Sequence, residues 1–530
     1  MNKIYLSFLL LLVGTLSNLS AQITFEKSYG GAGDDRAQSA IQTFNGGYFI
    51  AGSTQSYGAG FYDAYFIKTN ANGDTLWTKT YGGTDNEFIF SAVQTKDSGY
   101  AICGSNPSVM DSGYLDIYLL KIDAIGDSVW VKIVGSIPKL FSEAYAIKQT
   151  TDNGFIITGY VDTLINSGVS NIILIKTDAD GNTQWTKIIE ALNNQFGYDV
   201  CQTFDGGFAV IGYTNTSSKL LDGLIVKVDS SGNHLWSKTF DALSRFDWGH
   251  SIQQTADSGF IVTGYTDVLA ASGKDATLVK LNATGDLQWA KLYGGNQADE
   301  GTCVRQTNDG GYIVVGSTQS FGVGNADVFL VKTNANGVVQ WSKTYGGSAD
   351  EFVSIVQQTT DSGYVFAGFT KSFGSGGNNM LLIKTDADGN ACNGRNVATV
   401  SDDYPITIDS FVVNIISENI TSTILDSTFI GSGAIVGNAC PQVGIDETKH
   451  NNKLLIYPNP STGVFSIELP NEIESGRVEV FHINGQQVFS EAVSHTSKKT
   501  IHLSNIAEGV YFVKLFDGVG YRVSRLVAVK

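Results

Sequence analysis

Short apolar runs, mostly of β-branched and aromatic residues, alternate with glycine-containing polar turns throughout residues 22–394. A typical unit has four runs, of which the first ends in Gln-Thr and leads through a DGG- or DSG-type turn into the second. A longer Gly/Ser loop precedes the third run, and a DADG-type turn precedes the fourth. Such turns favour tight hairpins because glycine adopts positive φ without strain. Each unit is therefore predicted to form four antiparallel strands, as in one blade of a propeller.

An aromatic residue in the fourth run marks the phase of the repeat, at spacings of 51 to 55 residues. The markers are Phe25, Trp77, Trp130, Trp185, Trp236, Trp289 and Trp341. Self-similarity at this period predicts a solenoid or a propeller. We expect the marker rings to pack between neighbouring blades.

The two ends of the repeat are complementary. The last unit stops at KTDADGNACNG, before its marker run, and the chain opens with that missing run, ITFEKSYGG. A linear solenoid would carry polar caps at both ends, and neither is present. We therefore predict an all-β fold with a seven-bladed β-propeller over residues 22–394. Its N-terminal strand is expected to form the outer edge of the last blade.

A lysine follows each marker at a distance of two residues, and acidic residues recur just after the Tyr-Gly-Gly element. Asp35, Glu87, Glu300 and Glu351 are the expected ionic partners of these lysines. The DADG-type turns resemble fragments of calcium loops, but they lack the further carboxylates that such loops need. No metal site and no cofactor are predicted.

The tight turns of every blade must lie on one face, so the longer and more variable loops lie on the other. Recognition on a rigid scaffold is usually carried by such loops. The candidate ligand-binding residues are the aromatic residues on or near them: Tyr57, Tyr62, Phe88, Trp248, Phe321 and Phe373.

The net charge of −17 argues against a nucleic-acid partner. Residues 1–21 have the plan of a signal peptide, with Lys3 before an apolar run and cleavage expected after Ala21. No later segment is long and apolar enough for a membrane-spanning helix, so none is predicted in the mature chain. These features predict a protein that is exported through the periplasm.

Five cysteines are present and none forms a Cys-x-x-Cys pair, which argues against zinc. Cys103, Cys201 and Cys303 lie within apolar runs and are expected to be buried thiols. Cys392 and Cys440 bracket a segment of different character and are a possible disulfide. Residues 395–449, rich in Val, Ile, Thr and Ser, are expected to form a strand-rich linker or appendage.

The remaining residues, 450–530, show alternation and turn signals typical of a small antiparallel β-sandwich. This module resembles the type A C-terminal sorting domain of the type IX secretion system. The matching residues are Tyr457, Pro458, Asn459, Pro460, Gly463, Gly485, Gly509, Tyr511 and the C-terminal Lys530. The resemblance implies recognition by the type IX machinery and transport across the outer membrane. It further implies release of the cargo or its attachment to the cell surface.

The upstream repeats resemble the seven-bladed propeller repeats of many proteins exported in this way, and that resemblance concerns the fold alone. No catalytic motif is found, and no catalytic residue is assigned. The leading hypothesis is a binding protein that recognises a polysaccharide or a protein through the long-loop face. The alternatives are a secreted glycosidase or lyase, for which Asp247–Trp248 and Asp299–Glu300 depart from the repeat, and a structural surface protein.

Overall fold

The structure is a computed structural model. It describes residues 22–107, 114–134, 141–162, 169–191, 193–215, 221–241, 247–268, 273–403, 406–418, 422–424, 429–431, 435–438, 455–457, 462, 464–473, 476–482, 487–503, 509–516 and 521–528. The chain divides into two compact units, residues 1–440 and 441–530. Every regular element in the described residues is a β-strand, which confirms the predicted all-β class. The predicted signal peptide lies outside the described residues.

The strands of the first unit succeed one another with short connections. In chain order they are β1 (Phe25–Gly30), β2 (Asp35–Gln42), β3 (Tyr48–Thr54), β4 (Asp63–Thr69), β5 (Thr75–Gly82), β6 (Phe88–Gln94), β7 (Tyr100–Pro107), β8 (Leu115–Ile122), β9 (Ser128–Val134), β10 (Ser142–Gln149), β11 (Phe155–Asp162), β12 (Ser170–Thr177), β13 (Thr183–Glu190), β14 (Gln195–Gln202), β15 (Phe208–Asn215), β16 (Leu221–Val228), β17 (His234–Asp241), β18 (Asp247–Gln254), β19 (Phe260–Val268), β20 (Gly273–Leu281), β21 (Leu287–Gly294), β22 (Asp299–Gln306), β23 (Tyr312–Thr318), β24 (Asp327–Thr333), β25 (Val339–Tyr345), β26 (Glu351–Gln358), β27 (Tyr364–Thr370) and β28 (Asn379–Thr385). Seven shorter strands complete the unit: β29 (Arg395–Asn396), β30 (Val400–Asp403), β31 (Thr407–Ser410), β32 (Asn414–Glu418), β33 (Ser422–Ile424), β34 (Phe429–Gly431) and β35 (Ile435–Asn438).

Within the described residues these strands form seven five-stranded antiparallel sheets, which we number 1 to 7 along the chain. Sheets 1 to 6 begin with β2, β6, β10, β14, β18 and β22, and each contains the four consecutive strands of one sequence unit. Sheet 7 contains β26, β27 and β28, followed by β1, whose Phe25 lies opposite Lys384. The prediction of repeated four-stranded antiparallel units is confirmed.

The fifth strand of every sheet comes from residues 395–438, which we call the belt. Its strands pair with the sheets in reverse order: β29 with sheet 6, β30 with sheet 5, β31 with sheet 4, β32 with sheet 3, β33 with sheet 2, β34 with sheet 1 and β35 with sheet 7. The outermost strand of sheet 7 is therefore β35, which pairs with β1, and not β1 as expected from the sequence. Cys392, just before the belt, is disulfide-bonded. Its expected partner Cys440 lies outside the described residues.

The second and third strands of each sheet are buried on both faces, which explains their nearly continuous apolar sequence. The cores lie between neighbouring sheets. Leu119 of sheet 2, for example, belongs to one cluster with Ile157 and Ile173 of sheet 3. Cys103, Cys201 and Cys303 are free thiols; the first and third are buried and Cys201 is half-buried.

Neighbouring sheets are joined by a repeated hydrogen bond from the Gln-Thr element. The Gln side chain that ends each first strand accepts a backbone N–H from the tight turn of the preceding sheet. The seven pairs are Gln94 with Phe44, Gln149 with Lys96, Gln202 with Thr151, Gln254 with Phe204, Gln306 with Ala256, Gln358 with Asn308, and Gln42 with Thr360. Because Gln42 of sheet 1 accepts from sheet 7 at 2.8 Å, the contacts form a closed cycle.

The marker rings pack against the next sheet, as expected. Trp130 of sheet 2 lies edge-on to Phe155 of sheet 3, and Phe25 of sheet 7 lies edge-on to Tyr48 of sheet 1. A tight turn of the next sheet contains a glycine at positive φ that lies against the marker ring. A Cβ added to this glycine would clash with the ring, as at Gly389 beside Trp341. The markers therefore stabilise the joints between sheets.

The lysines that follow the markers have other partners than expected. Lys27 contacts Asp74, in the tight turn of the next sheet, at 2.6 Å, and Lys238 contacts Asp286 in the same way. The expected acids lie at the opposite end of the sheets. Asp35, Glu87 and Glu351 hold the loop after Tyr-Gly-Gly there, whereas Glu300 pairs with Lys274. Glu351, for example, accepts the N–H of Gly347 at 2.8 Å. Strand direction therefore separates the two sets of charges.

The second unit consists of β36 (Leu455–Tyr457), β37 (Val464–Ile473), β38 (Gly476–His482), β39 (Gln487–Val493), β40 (Thr496–His502), β41 (Gly509–Phe516) and β42 (Tyr521–Ala528). Within its described residues, β36, β37 and β40 form one antiparallel sheet, and β39, β38, β41 and β42 form another. Phe465 and Ile501 of the first sheet share a core with Val478 and Val513 of the second. The unit therefore has two layers around one apolar core.

Candidate binding site on the first strands

The first strands of the seven sheets contact one another in a closed cycle, so they lie innermost in the first unit. Along each of them, buried and half-buried residues alternate at the start, as in Asp247–Trp248–Gly249–His250 of β18. Side chains at the second and fourth positions therefore share one accessible face. These two positions vary most in chemistry among the seven sheets.

In sheets 3, 4 and 5 this face is aromatic. Its centre consists of five rings, which we call the aromatic cluster: Tyr145 of β10, Tyr198 of β14, Tyr213 of β15, Trp248 of β18 and Tyr265 of β19. Phe90, Tyr160, Phe196 and His250 contact its edges. Cross-strand pairing explains part of this grouping, because Trp248 lies directly opposite Tyr265 in the register of sheet 5.

Several rings of the cluster are nearly parallel but laterally displaced. Tyr145 and Tyr198 have centroids 5.2 Å apart at an interplanar angle of 21°. Trp248 and Tyr265 are 5.5 Å apart at 18°. The buried pair Phe49 and Tyr100 is much closer, at 3.7 Å, as expected for superposed rings. The displaced rings of the cluster therefore leave part of their faces uncovered by one another.

Polar groups surround the cluster on two sides. On one side Lys274 lies 4.1 Å from the centroid of Tyr265 and donates to Glu300 at 2.8 Å. On the other side Tyr145 donates to Glu143 at 2.9 Å. Burial raises the pKa of Glu143, against the lowering effect of that hydrogen bond. Burial also lowers the pKa of His250, although the nearby Glu300 opposes this, so His250 favours its neutral form.

The same positions in the remaining sheets carry different chemistry. Gln38 of sheet 1 accepts a hydrogen bond from Ser354 of sheet 7 at 2.8 Å. Phe352 of sheet 7 packs against its cross-strand neighbour Phe369 at 5.2 Å, and Arg36 lies over the Phe369 ring. The aromatic cluster is therefore confined to one part of the cycle.

The six aromatic residues that were predicted to bind a ligand occupy three different environments in the structure. Trp248 belongs to the aromatic cluster, and Tyr62 and Phe88 contact each other at 5.2 Å beside the exposed Phe61. The other three occupy one equivalent position and pack inwards. Tyr57 donates to the carbonyl of Gly30, Phe321 packs on Phe329, and Phe373 packs on the core between sheets 6 and 7.

The two acidic departures from the repeat are also separated. Asp247 is buried, and Asp299 accepts from Ser320 and from the N–H of Gly295, so it orders a loop. Glu300 alone lies beside the aromatic cluster. The sequence did not predict Tyr145, Tyr198, Tyr213 and Tyr265 as site residues. Comparing the second and fourth positions of the seven first strands would have revealed the first two.

The residues that carry the sorting-domain resemblance lie partly within the described chain. Tyr457 is half-buried beneath Lys498, whose Nζ lies 4.9 Å from the ring centroid, and Tyr511 is buried in the core. Gly509 begins β41. Pro458, Asn459, Pro460, Gly463, Gly485 and Lys530 lie outside the described residues. No helix in the described residues is long and apolar enough to cross a membrane.

Residues 455–530 match the family of secretion system C-terminal sorting domains. This module is thus a type IX sorting domain, and it indicates secretion or attachment to the outer cell surface through the type IX machinery. No curated protein matches the chain. One similar solved structure is a protein assigned as an exo-β-1,3-galactanase from Bifidobacterium bifidum s17, with 12% identity over 53% of this chain and 93% of that one. The TM-score of the two structures is 0.28.

Proposed function

We propose that the first unit is a seven-bladed β-propeller that binds a polysaccharide or a protein outside the cell. The cyclic Gln hydrogen bonds, the marker rings and the pairing of β1 with β28 support the seven-bladed arrangement. A signal peptide at residues 1–21 would bring the chain to the periplasm, from which the sorting domain directs it outwards.

The observation that carries the binding function is the aromatic cluster. Three of its rings, those of Tyr145, Tyr198 and Trp248, are only half-buried. A contiguous group of partly exposed aromatic rings is atypical of a surface that has no ligand, because burying them elsewhere would stabilise the fold. A rigid scaffold with a few aromatic rings and a few polar groups is typical of ligand sites. We place the site on the long-loop end of the first strands, where Trp248 lies.

A second candidate function is that of a glycosidase or lyase. It is favoured by the two carboxylates beside the cluster, Glu143 and Glu300, whose environments differ: one is hydrogen-bonded to a tyrosine and the other is ion-paired to a lysine. Pairs of carboxylates in unequal environments are typical of glycoside hydrolysis.

One experiment separates these functions. The purified mature chain is incubated with immobilised polysaccharides and with extracellular matrix proteins, and both retention and release of reducing or unsaturated sugar ends are measured. Retention without release supports a binding protein. Release that is lost in Glu143→Gln or Glu300→Gln supports an enzyme. Neither retention nor release would contradict both functions and leave a structural surface protein.

A further inference from the structure

We infer that the aromatic cluster is a subsite for a neutral glycan chain, with Trp248 as its central platform. This inference rests on the proposed binding function and assigns to it a place and a ligand class. It depends on three properties of the cluster: its depth, the arrangement of its rings and its charge.

The depth of the cluster favours a narrow ligand. All five rings are buried or half-buried, with Tyr265 exposed by only 7%. They lie on the first two strands of their sheets, and first strands are innermost in the cycle. Strongly exposed rings that could meet a flat protein surface lie elsewhere, for example Phe44 and Phe204 in tight turns. A thin polymer reaches recessed rings more readily than a folded protein does.

The arrangement of the rings suits pyranose sugars. A pyranose has an apolar face of C–H groups, which packs on aromatic rings, and an edge of hydroxyls, which need hydrogen-bonding partners. Tyr145, Tyr198 and Trp248 succeed one another at centroid distances of 5.2 and 5.9 Å, a spacing close to the length of one hexopyranose unit. The tyrosine hydroxyls lie beside these faces, and that of Tyr145, which already donates to Glu143, offers a sugar its acceptor lone pairs.

The charge of the site favours a neutral sugar over a uronate or a sulfated sugar. The cation in ring contact with the cluster is Lys274, which lies over Tyr265, and Glu300 neutralises it at 2.8 Å. Lys148, three residues after Tyr145, is ion-paired with Asp199 at 3.1 Å. His250 favours its neutral form, and Glu143 adds a further carboxyl group. An anionic chain would therefore have to compete with Glu300 for Lys274, and the net charge of −17 would repel it over longer distances.

The test uses the full mature chain and isothermal titration with neutral hexasaccharides of β-linked glucose or galactose. Hexagalacturonic acid is the charged probe, and equal chain length removes any effect of size. Trp248→Ala is expected to weaken binding of the neutral probe by at least about tenfold. Phe352→Ala is the matched control, because it removes an aromatic ring at the same strand position of sheet 7, and it should change affinity less than about twofold.

Tryptophan fluorescence distinguishes loss of the binding site from misfolding of a variant. Trp248→Phe keeps an aromatic ring in the cluster, and the six marker tryptophans lie at the joints between sheets. Neutral glycan should therefore change the tryptophan fluorescence of the parent chain and of Phe352→Ala, but not that of Trp248→Phe. A fluorescence change that persists in Trp248→Phe would overturn the assignment of the site.

The outcomes test the glycan subsite and the proposed binding function separately. Glycan binding that Trp248→Ala and Phe352→Ala weaken equally overturns the subsite but leaves the proposed function intact. Tighter binding of hexagalacturonic acid overturns the neutral class. Binding to matrix proteins without binding to any glycan overturns the subsite's ligand class and retains a binding protein. No binding at all overturns the proposed function itself.

Discussion

Sheet 1 differs from the other six sheets in the partner of its buried third-strand lysine. In six sheets a buried lysine of the third strand pairs with an aspartate of the tight turn between the first two strands, as Lys332 does with Asp309 at 2.8 Å. In sheet 1 the turn carries Asn45. Among the residues that the structure describes, Lys68 donates only to neutral acceptors: Asn45, Thr43 and the carbonyl of Thr69. Burial lowers the pKa of Lys68 from 10.5 to about 8.

This difference makes Asn45→Asp a stabilising substitution. The folded protein releases the Lys68 proton near pH 8, whereas the unfolded chain keeps it to about pH 10.5. The free energy of unfolding therefore includes a penalty at neutral pH that disappears as the pH rises from 8 to 10.5. Lys68 is only 4% exposed, but the equivalent aspartates are about half exposed, so solvent screens part of the new attraction. We expect a gain of about 1–3 kcal/mol at pH 7.

The assay is urea unfolding of the mature chain at pH 7 and pH 10, followed by circular dichroism. Asn45→Asp should raise the free energy of unfolding mainly at pH 7 and reduce its rise towards pH 10. Asp309→Asn, the reciprocal variant, should remove the carboxylate from Lys332 and leave it neutral acceptors, among them Gln340 and the carbonyl of Thr333. It should lower stability at pH 7 by a similar or smaller amount. If Asn45→Asp has no effect at pH 7, or if Asp309→Asn has none, the reasoning about the unpaired buried lysine is refuted.

Three further predictions concern other parts of the first unit. Burial and the nearby Asp63 raise the pKa of Glu87 to about 8. In the folded protein Glu87 therefore keeps its proton up to about pH 8, whereas in the unfolded chain it loses that proton near pH 4.5. The free energy of unfolding should therefore fall as the pH rises from about 4.5 to 8, by about 3–5 kcal/mol, and Glu87→Gln should flatten this slope in urea titrations. Tyr345→Phe removes a buried hydrogen bond to the carbonyl of Gly389 and should lower the free energy of unfolding by about 1–3 kcal/mol in the same urea titration. An unchanged urea midpoint would show that the hydroxyl is dispensable. Cys392→Ser opens the predicted Cys392–Cys440 loop and should cost about 4 kcal/mol, and a reducing agent should destabilise the parent chain but not the variant.

The repeated strands could be predicted from the sequence because their signals are local. Each hairpin has its own turn, such as Asn334–Gly337, whose glycine adopts a φ of 74°. The apolar runs are long enough to show their period, and the markers fix the phase. The sorting module was equally visible, because its motif extends over the whole domain. The structure confirms the all-β repeat, and the family match confirms the sorting domain.

The belt and the aromatic cluster depend on relations between distant residues. A belt strand such as β29 spans two residues, so it has no measurable period, and its partner lies about fifty residues earlier in the chain. The partners of later belt strands are still more distant. The lysine partners were assigned wrongly for a related reason, since sequence proximity hid the fact that the acids lie at the opposite end of the sheets. The cluster emerges only when equivalent positions of successive sheets are compared.

Because of the belt, the backbone of the first unit crosses every joint between neighbouring sheets twice. From β1 to β28 the backbone passes once across each of the seven joints between sheets, and from β28 to β35 it passes across each joint again in the opposite sense. A single proteolytic cut in any inter-sheet loop therefore leaves that joint spanned by a second stretch of backbone. For a protein that works among extracellular proteases, a nicked chain would still be held as one closed body.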